Sequence, residues 1–493
     1  MPSETLHEEP STLDTETIAR LAAPHRSHDH HKGVMEMNAY DLILIGTGQA
    51  TGVIVEPLLD RGMKIAVIEA ERVGGSCVNW GCTPTKTLIA SARAAHMAHR
   101  GDDFGIRIPH FSIQFDKVME RVNDIRVPSS EQFRSWLDRV TDFYPGTASF
   151  VDAHTVAVNG ITIHGEIIVI HTGTRSRTPP IPGIDTVPWL DNRGILDLTE
   201  VPEHLLVLGG SYIGLEFAQA YRRLGSQVSV FDNNERIVSH EDPDISAIAL
   251  EVLLAEGIEF HLGADATRLG PGNHFPDGAA LTCRQGDIDK TVEGSHLLIA
   301  IGRVPNTDEL NLDAAGISVD EQGFIPVDDV GRTSIPHIYA LGDVNGRGAF
   351  THTSVHDGQV FLDHLAGGQR KISDRTTIYS MFIDPPLARV GLSETEARQS
   401  GKAVLMATMP MSKVSRAREK DETAGLIKIL VDEESDRILG AAVFGVGGDE
   451  VIGMLALAIQ AELPYRVLQE TVLPHPTVSE MIPWLFPDLQ RLE

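Results

Sequence analysis

The chain has 493 residues, with 69 acidic against 41 basic side chains and a formal charge of −28. A pI near 5.1 without a long basic run excludes a nucleic-acid binder, which needs clustered lysine and arginine to displace phosphate counterions. At roughly 150 residues per domain, the length and the 42% hydrophobic content imply about three globular α/β domains.

Residues 1–38 are polar, lack periodicity and carry His25, His28, His30 and His31. They read as a solvated tail, with capture of a transition metal as a side reading; no metal ligand set is assigned in the chain. The acidic first residues lack a signal-peptide core, and no apolar run nears the roughly 20 residues that span a bilayer. A cytoplasmic protein without a membrane partner is expected.

From Tyr40 the sequence turns apolar, and Leu42–Ile45 reads as a strand buried on both faces. It runs into Gly46-Thr47-Gly48-Gln49-Ala50-Thr51-Gly52, a helix-compatible stretch to Leu59, and a second strand over Ile65–Ile68 that ends at Glu69. This is the layout of a dinucleotide site: glycines admit the pyrophosphate, the helix start offers free N–H groups, and the acid accepts ribose hydroxyls. It recurs 163 residues later, with strand Leu205–Leu208, turn Gly209-Gly210-Ser211-Tyr212-Ile213-Gly214, strand Val228–Phe231 and Asp232. The glycine-to-acid offset is 23 residues in both copies. One such fingerprint is weak evidence, whereas two with matching offsets indicate two dinucleotide sites. Thr51 and Ser211 stand where the fingerprint usually has glycine.

Between the copies, residues 148–170 alternate as a small antiparallel meander with turns at Asn159-Gly160 and His164-Gly165. After about residue 374, strands over Leu426–Val431 and Ile438–Phe444 and a helix over Asp449–Glu462 predict a separate α+β domain.

Cys77 and Cys82 lie in Gly74-Gly75-Ser76-Cys77-Val78-Asn79-Trp80-Gly81-Cys82-Thr83-Pro84-Thr85-Lys86, directly after the first nucleotide unit. In a regular helix five residues advance about 7.5 Å, too far for a disulfide, so a bridge requires a distorted turn. Gly75, Gly81 and Pro84 supply the irregularity. A zinc site wants four ligands, and no second cysteine pair exists, which leaves redox chemistry as the reading. Cys283 has no partner and reads as a packing residue.

On these features the chain resembles the flavoprotein pyridine nucleotide-disulfide oxidoreductases, the group of dihydrolipoamide dehydrogenase, glutathione reductase and mercuric reductase. The resemblance covers about residues 39–493. It rests also on His171-Thr172-Gly173-Thr174-Arg175, Ala300-Ile301-Gly302-Arg303-Val304-Pro305-Asn306-Thr307, Tyr339-Ala340-Leu341-Gly342-Asp343 and His475-Pro476-Thr477-Val478-Ser479-Glu480. It implies two Rossmann-like domains plus a C-terminal α+β dimerisation domain. The expected order is a tail (1–38), an FAD domain with the cysteine box (39–187), an NAD(P)H domain (188–303), a central segment completing the FAD domain (304–374) and a dimerisation domain (375–493).

The resemblance implies FAD at Gly46, Gly48, Glu69, Gly173, Gly342 and Asp343, and pyridine nucleotide at Gly209, Tyr212, Gly214, Asp232, Gly302 and Arg303. Lys86, paired with Glu216, would stand near flavin N5, and Tyr212 would cover the flavin until nicotinamide displaces it. Hydride would pass from nicotinamide to flavin, and the reduced flavin would open the Cys77–Cys82 disulfide. Cys82 would face the flavin, its pKa lowered by a helix start, and Cys77 would attack substrate. His475, oriented by Glu480, would move the proton. In the family this pair reaches the other subunit's site, so a homodimer is implied. Asp232 repels a 2′-phosphate and favours NADH, while Arg236 keeps NADPH within reach.

The wording of the box and of Pro385-Pro386-Leu387-Ala388-Arg389-Val390-Gly391 looks most like the mercuric-reductase-like and reactive-chlorine-resistance branch. Well-studied mercuric reductases carry a C-terminal cysteine pair, yet no cysteine follows Cys283 here. Retention of His475 and Glu480 favours an organic disulfide as substrate. Reduction of a metal ion, Hg(II) or Cu(II), is the alternative, and a non-enzymatic flavin redox sensor is the third reading.

Overall fold

The computed structural model describes residues 38–492, so the His25–His31 cluster lies outside the described residues. The chain divides into two compact units. One holds residues 38–83, 124–175 and 303–375, and the other holds 84–123, 176–302 and 376–492.

The first unit is built on a seven-stranded sheet. Its parallel part runs Asp142–Pro145, Ile65–Glu69, Asn38–Ile45, Ile161–Ile170, with Ile338–Ala340 also pairing the last of these. The apolar run after Tyr40 is buried on both faces because each face meets a different core. Leu42 and Leu44 pack with Ile54, Leu58 and Phe361, whereas Ile43 and Ile45 pack with Ile163, Ile325 and Ile338. Each such side chain contributes about 1.5–3 kcal/mol of burial. The helix after the turn, Thr51–Leu59, buries Ile54, Val55 and Leu58.

The meander is present as strands Ala148–Phe150, Thr155–Val158 and the first part of Ile161–Ile170. Asn159 and Gly160 form its turn, both at positive φ (49° and 78°). The expected turn at His164-Gly165 is absent: the strand continues unbroken to Ile170. A Cβ on Gly165 would fall 2.8 Å from Ile43 Cδ1, so this glycine serves close packing between strands rather than chain reversal.

The second unit contains a parallel four-stranded sheet in the order Glu259–Leu262, Gln227–Asp232, His204–Leu208, His296–Ile299. Beside it in sequence is a three-stranded antiparallel sheet over Asp265–Gly294, where Cys283 is 2% exposed in the core, as expected for a packing residue. The C-terminal part is a six-stranded antiparallel sheet with Leu426–Asp432 and Ile438–Phe444 at its centre. The helix Gly448–Gln460 covers it through Ile452 and Leu455. Among the described residues no helix is long and apolar enough to cross a membrane.

One residue of the first unit ties three elements together. His171, 5% exposed, follows strand Ile161–Ile170, and its Nε2 accepts the Ala50 N–H at 3.2 Å. Its Nδ1 must then carry the proton, which it donates to Leu341 O at 2.7 Å. Burial pushes its pKa below the usual value, so the folded state holds it neutral. A histidine depressed on folding contributes stability above its unfolded pKa, near 6.5, that is lost as pH falls toward the folded value. The protein should therefore lose urea resistance below about pH 6.5, each such proton adding at most about 1.4 kcal/mol per pH unit. His171→Asn should flatten that slope between pH 7.5 and 5.5 while other buried histidines keep theirs. Parallel slopes for the two proteins in urea titrations would contradict the assignment.

Candidate functional site

The two strand-to-helix turns are built alike, atom by atom. In the first, Gly46 N–H donates to Ile68 O at 2.8 Å, and His171 N–H to Ile45 O at 2.7 Å. In the second, Gly209 N–H donates to Phe231 O at 2.8 Å, and Ala300 N–H to Leu208 O at 2.8 Å. Gly46 and Gly209 both take positive φ, 99° and 118°. A Cβ on either would lie 2.3 Å from the carbonyl oxygen of the residue after the neighbouring strand, His171 or Ala300. The first glycine of each turn is thus required by the fold itself.

The acids close each turn. Glu69 accepts from Thr47 N–H at 3.0 Å and Thr47 Oγ1 at 2.5 Å, and Asp232 accepts from Gly210 N–H at 2.6 Å. Asp232 also takes Asn234 N–H at 2.8 Å. A Cβ on Gly48 would strike His171 Nε2 at 2.4 Å, and one on Gly214 would strike Gly209 O at 2.1 Å. Thr51, at the departed third position of the first turn, is fully buried with no hydrogen-bond partner for its hydroxyl among the described residues. Turns whose glycines leave no room for a side chain, each with a carboxylate at its edge, fit the adenosine and pyrophosphate parts of a dinucleotide.

In the first unit Gly173 has φ 64° with no atom within 4 Å of its Cβ position, and Gly342 has φ 71°. Asp343 accepts from Thr174 Oγ1 at 3.1 Å, and burial raises its carboxyl above the ordinary range. Arg303, in the first unit, donates to Thr174 Oγ1 at 2.8 Å. Gly302, at φ 115°, is in the second unit.

The cysteine box shows how five residues are folded back. Cys77 sits in the short helix Gly75–Asn79, which breaks at Trp80 and Gly81, and Cys82 opens a new helix, Cys82–His99. A Cβ on Gly81 would stand 2.8 Å from Ser76 O and 3.2 Å from Cys77 Cα, so only glycine lets the second helix start against the first. The Asn79 amide holds the loop by donating to Val73 O and Gly75 O at 3.0 Å each. Cys77 and Cys82 are free thiols, and the neighbouring Cys82 first, with burial second, pushes the Cys77 thiol far above its usual range. Cys82 is exposed, and its Sγ is 3.3 Å from Thr351 Oγ1, the first residue of helix Thr351–Leu365. Thr351, Asn79, Thr47 and the orienting role of His171 escape a sequence reading, because their partners are fixed only by the fold.

In the second unit Lys86 Nζ is 2.7 Å from Glu216 Oε2, whose other oxygen accepts Phe382 N–H at 2.8 Å. Lys86 also lies 4.7 Å over the Phe382 ring. Tyr212 opens helix Tyr212–Arg223, half-buried. His475 Nδ1 meets Glu480 Oε2 at 2.9 Å. The imidazole is 73% exposed and the carboxylate 14%, so Glu480 fixes one nitrogen while the rest of the ring projects outward. Among the described residues one carboxylate group, Asp242, Asp244 and Glu394, is close enough to share a cation, and Lys428 already supplies the charge at 2.8–3.3 Å.

Two family models match the chain: pyridine nucleotide-disulphide oxidoreductase over residues 40–358, and the dimerisation domain of the same family over 377–486. Among curated relatives, the probable pyridine nucleotide-disulfide oxidoreductase RclA of Escherichia coli is 36% identical over 460 residues, covering 91% of this chain and 99% of that protein. The dihydrolipoyl dehydrogenase of Chlamydia muridarum is 35% identical over 452 residues, covering 90% and 95%. The solved Cu(II) complex of the HOCl-induced flavoprotein disulfide reductase RclA from Escherichia coli superimposes with a TM-score of 0.83 at 34% identity, covering 92% and 99%. The matched dimerisation domain marks a homodimer. The chain therefore belongs to the FAD-dependent pyridine nucleotide-disulfide oxidoreductases.

Proposed function

We propose that this oxidoreductase uses NADH to reduce a small organic disulfide through Cys77 and Cys82. The observation that carries the reading is the exposed His475 held at Nδ1 by Glu480, because a proton donor is what a leaving thiolate needs and a metal ion does not. Gly46, Gly48, Glu69, Gly173, Gly342 and Asp343 would hold FAD, and Gly209, Tyr212, Gly214, Asp232 and Gly302 the nicotinamide nucleotide, with Arg303 next to Asp343. When bound, FAD takes hydride from the pyridine nucleotide and passes two electrons to the cysteine pair.

The protein's own groups then act in turn. His475 takes the proton of the Cys77 thiol, whose sulfur attacks one sulfur of the substrate, forming a mixed disulfide and expelling the other sulfur as a thiolate. His475 gives that sulfur a proton, the imidazole orientation being fixed by Glu480. The Cys82 thiolate attacks Cys77 Sγ, expels the second substrate sulfur as a thiolate and re-forms the Cys77–Cys82 bond. Lys86, ion-paired with Glu216, would be the cation that offsets the negative charge of a reduced flavin. His475 and Glu480 would serve the partner subunit's cysteines, which explains an imidazole left so exposed in one chain.

The second reading is reduction of a metal ion by the same thiols. It is supported by the Cu(II) complex of the related RclA and by the exposure of Cys82. Anaerobic NADH consumption with lipoamide and with thiol-buffered Hg(II) or Cu(II) as parallel acceptors separates the two. Turnover of the metal alone would overturn the disulfide assignment.

Cys77→Ser should cut disulfide turnover by at least about a thousandfold, yet leave NADH able to bleach the flavin absorbance. Loss of bleaching as well would contradict the division of labour. His475→Gln should slow disulfide turnover by roughly 10²–10⁴-fold and affect metal reduction far less; steady-state rates with both acceptors read this directly. For the donor, Asp232→Asn keeps an acceptor for Gly210 N–H but removes the charge that repels a 2′-phosphate. The NADH to NADPH ratio of kcat/KM should fall by about tenfold, and an unchanged ratio would place the selectivity elsewhere.

A further inference from the structure

The second unit contains a buried charge cluster that the proposed reaction does not use. Glu241, 3% exposed, accepts on Oε1 from two phenols: Tyr212 at 2.9 Å and Tyr379 at 2.7 Å. Its Oε2 takes the Arg389 guanidinium at 2.7–2.8 Å. Arg389, 2% exposed, also donates to Asp242 at 2.9 Å, and Asp242 faces Lys428 at 3.3 Å. Burial alone would raise the Asp242 carboxyl, but Arg389 and Lys428 overcome it and hold it below its usual range. The Tyr212 and Tyr379 rings lie 5.6 Å apart.

We infer that Glu241 is a positioning residue that latches Tyr212 in its closed place and that Tyr379 sets the strength of the latch. The inference rests on the reading of Tyr212 as the ring displaced by nicotinamide. When Tyr212 swings away, its bond to Glu241 breaks, but Tyr379 continues to satisfy the same oxygen. The carboxylate is never left bare in a buried site, where an unpaired group is costly. Arg389 keeps the other oxygen occupied throughout, so Glu241 stays in place whichever way the ring points. Opening thus costs one hydrogen bond rather than an orphaned charge, and NADH binds in proportion to the fraction of open protein.

The two tyrosines consequently have opposite effects. Tyr212→Phe keeps the ring but removes the latch, so the closed state loses stability and apparent NADH affinity should rise about tenfold. Tyr379→Phe leaves Tyr212 as the only phenol on that oxygen, so opening strands it and apparent affinity should fall by about tenfold. In a Glu241→Gln background the effect of Tyr212→Phe should shrink, because an amide replaces one of the two carboxylate oxygens that hold the phenols and Arg389.

Anaerobic stopped-flow reduction of the flavin at varied NADH measures these affinities on the intact holoenzyme, and both phenylalanine variants preserve ring and volume. Opposite signs for Tyr212→Phe and Tyr379→Phe support the latch, since general loosening would move both the same way. Equal signs, or no change in either, overturn it. Tyr212→Ala separates the underlying assignment. If removing the whole ring leaves NADH binding unchanged, Tyr212 is not the displaced ring; if it changes binding while the phenylalanine variants do not, the latch alone fails.

Discussion

Both halves of the nucleotide chemistry depend on one steric fact: a parallel strand must turn into a helix where there is no room for a Cβ. Gly46 and Gly209 each lie so near a neighbouring carbonyl that any side chain would overlap it. The same strand-end hydrogen bonds brace both turns, and the acid ending the next strand reaches back to the backbone just after the glycine. From this follow the open approach to each helix start, the placement of the acid and the course of the chain toward the cysteine box. The carbonyl that excludes the side chain in the first unit belongs to His171, whose ring then excludes one at Gly48 as well. A single residue thereby dictates two glycines of one fingerprint.

The elements legible in the sequence are those whose logic is local. Strand, turn, strand and acid occupy 28 consecutive residues in each copy, so periodicity and spacing reveal them without knowledge of the rest. The cysteine box is equally local, and the need for a break between Cys77 and Cys82 predicts the irregularity that Gly81 permits. His475 and Glu480 are five residues apart, and their contact needs only a short loop. Glycine is the ambiguous letter: at Asn159-Gly160 it marks a true turn, whereas at Gly165 it marks tight packing inside a continuous strand. The two are indistinguishable until the neighbour, Ile43, is known.

What the sequence conceals is long-range and polar. Tyr379 is 138 positions from Glu241, and Arg389 is 148 positions away, so nothing in the local pattern joins them. Buried charges also read as ordinary surface residues in a chain this acidic. Arg389 and Lys428 would pass as solvated cations, yet both are almost fully buried among carboxylates. Removing either partner would leave an uncompensated charge, which is why such clusters hold one geometry even where their net stabilisation is small.

The contact between Cys82 and Thr351 spans 269 positions of chain. At roughly 5–20 residues per second, synthesis takes roughly 15–50 s to travel from one to the other. During that interval the thiols have emerged but the helix that begins at Thr351 has not. The pair itself is five residues apart and can find its correct partner at once, and the one competing cysteine, Cys283, is about 200 residues further along. Order of appearance thus favours the local pairing: an oxidation that occurs before Cys283 emerges can join only Cys77 and Cys82.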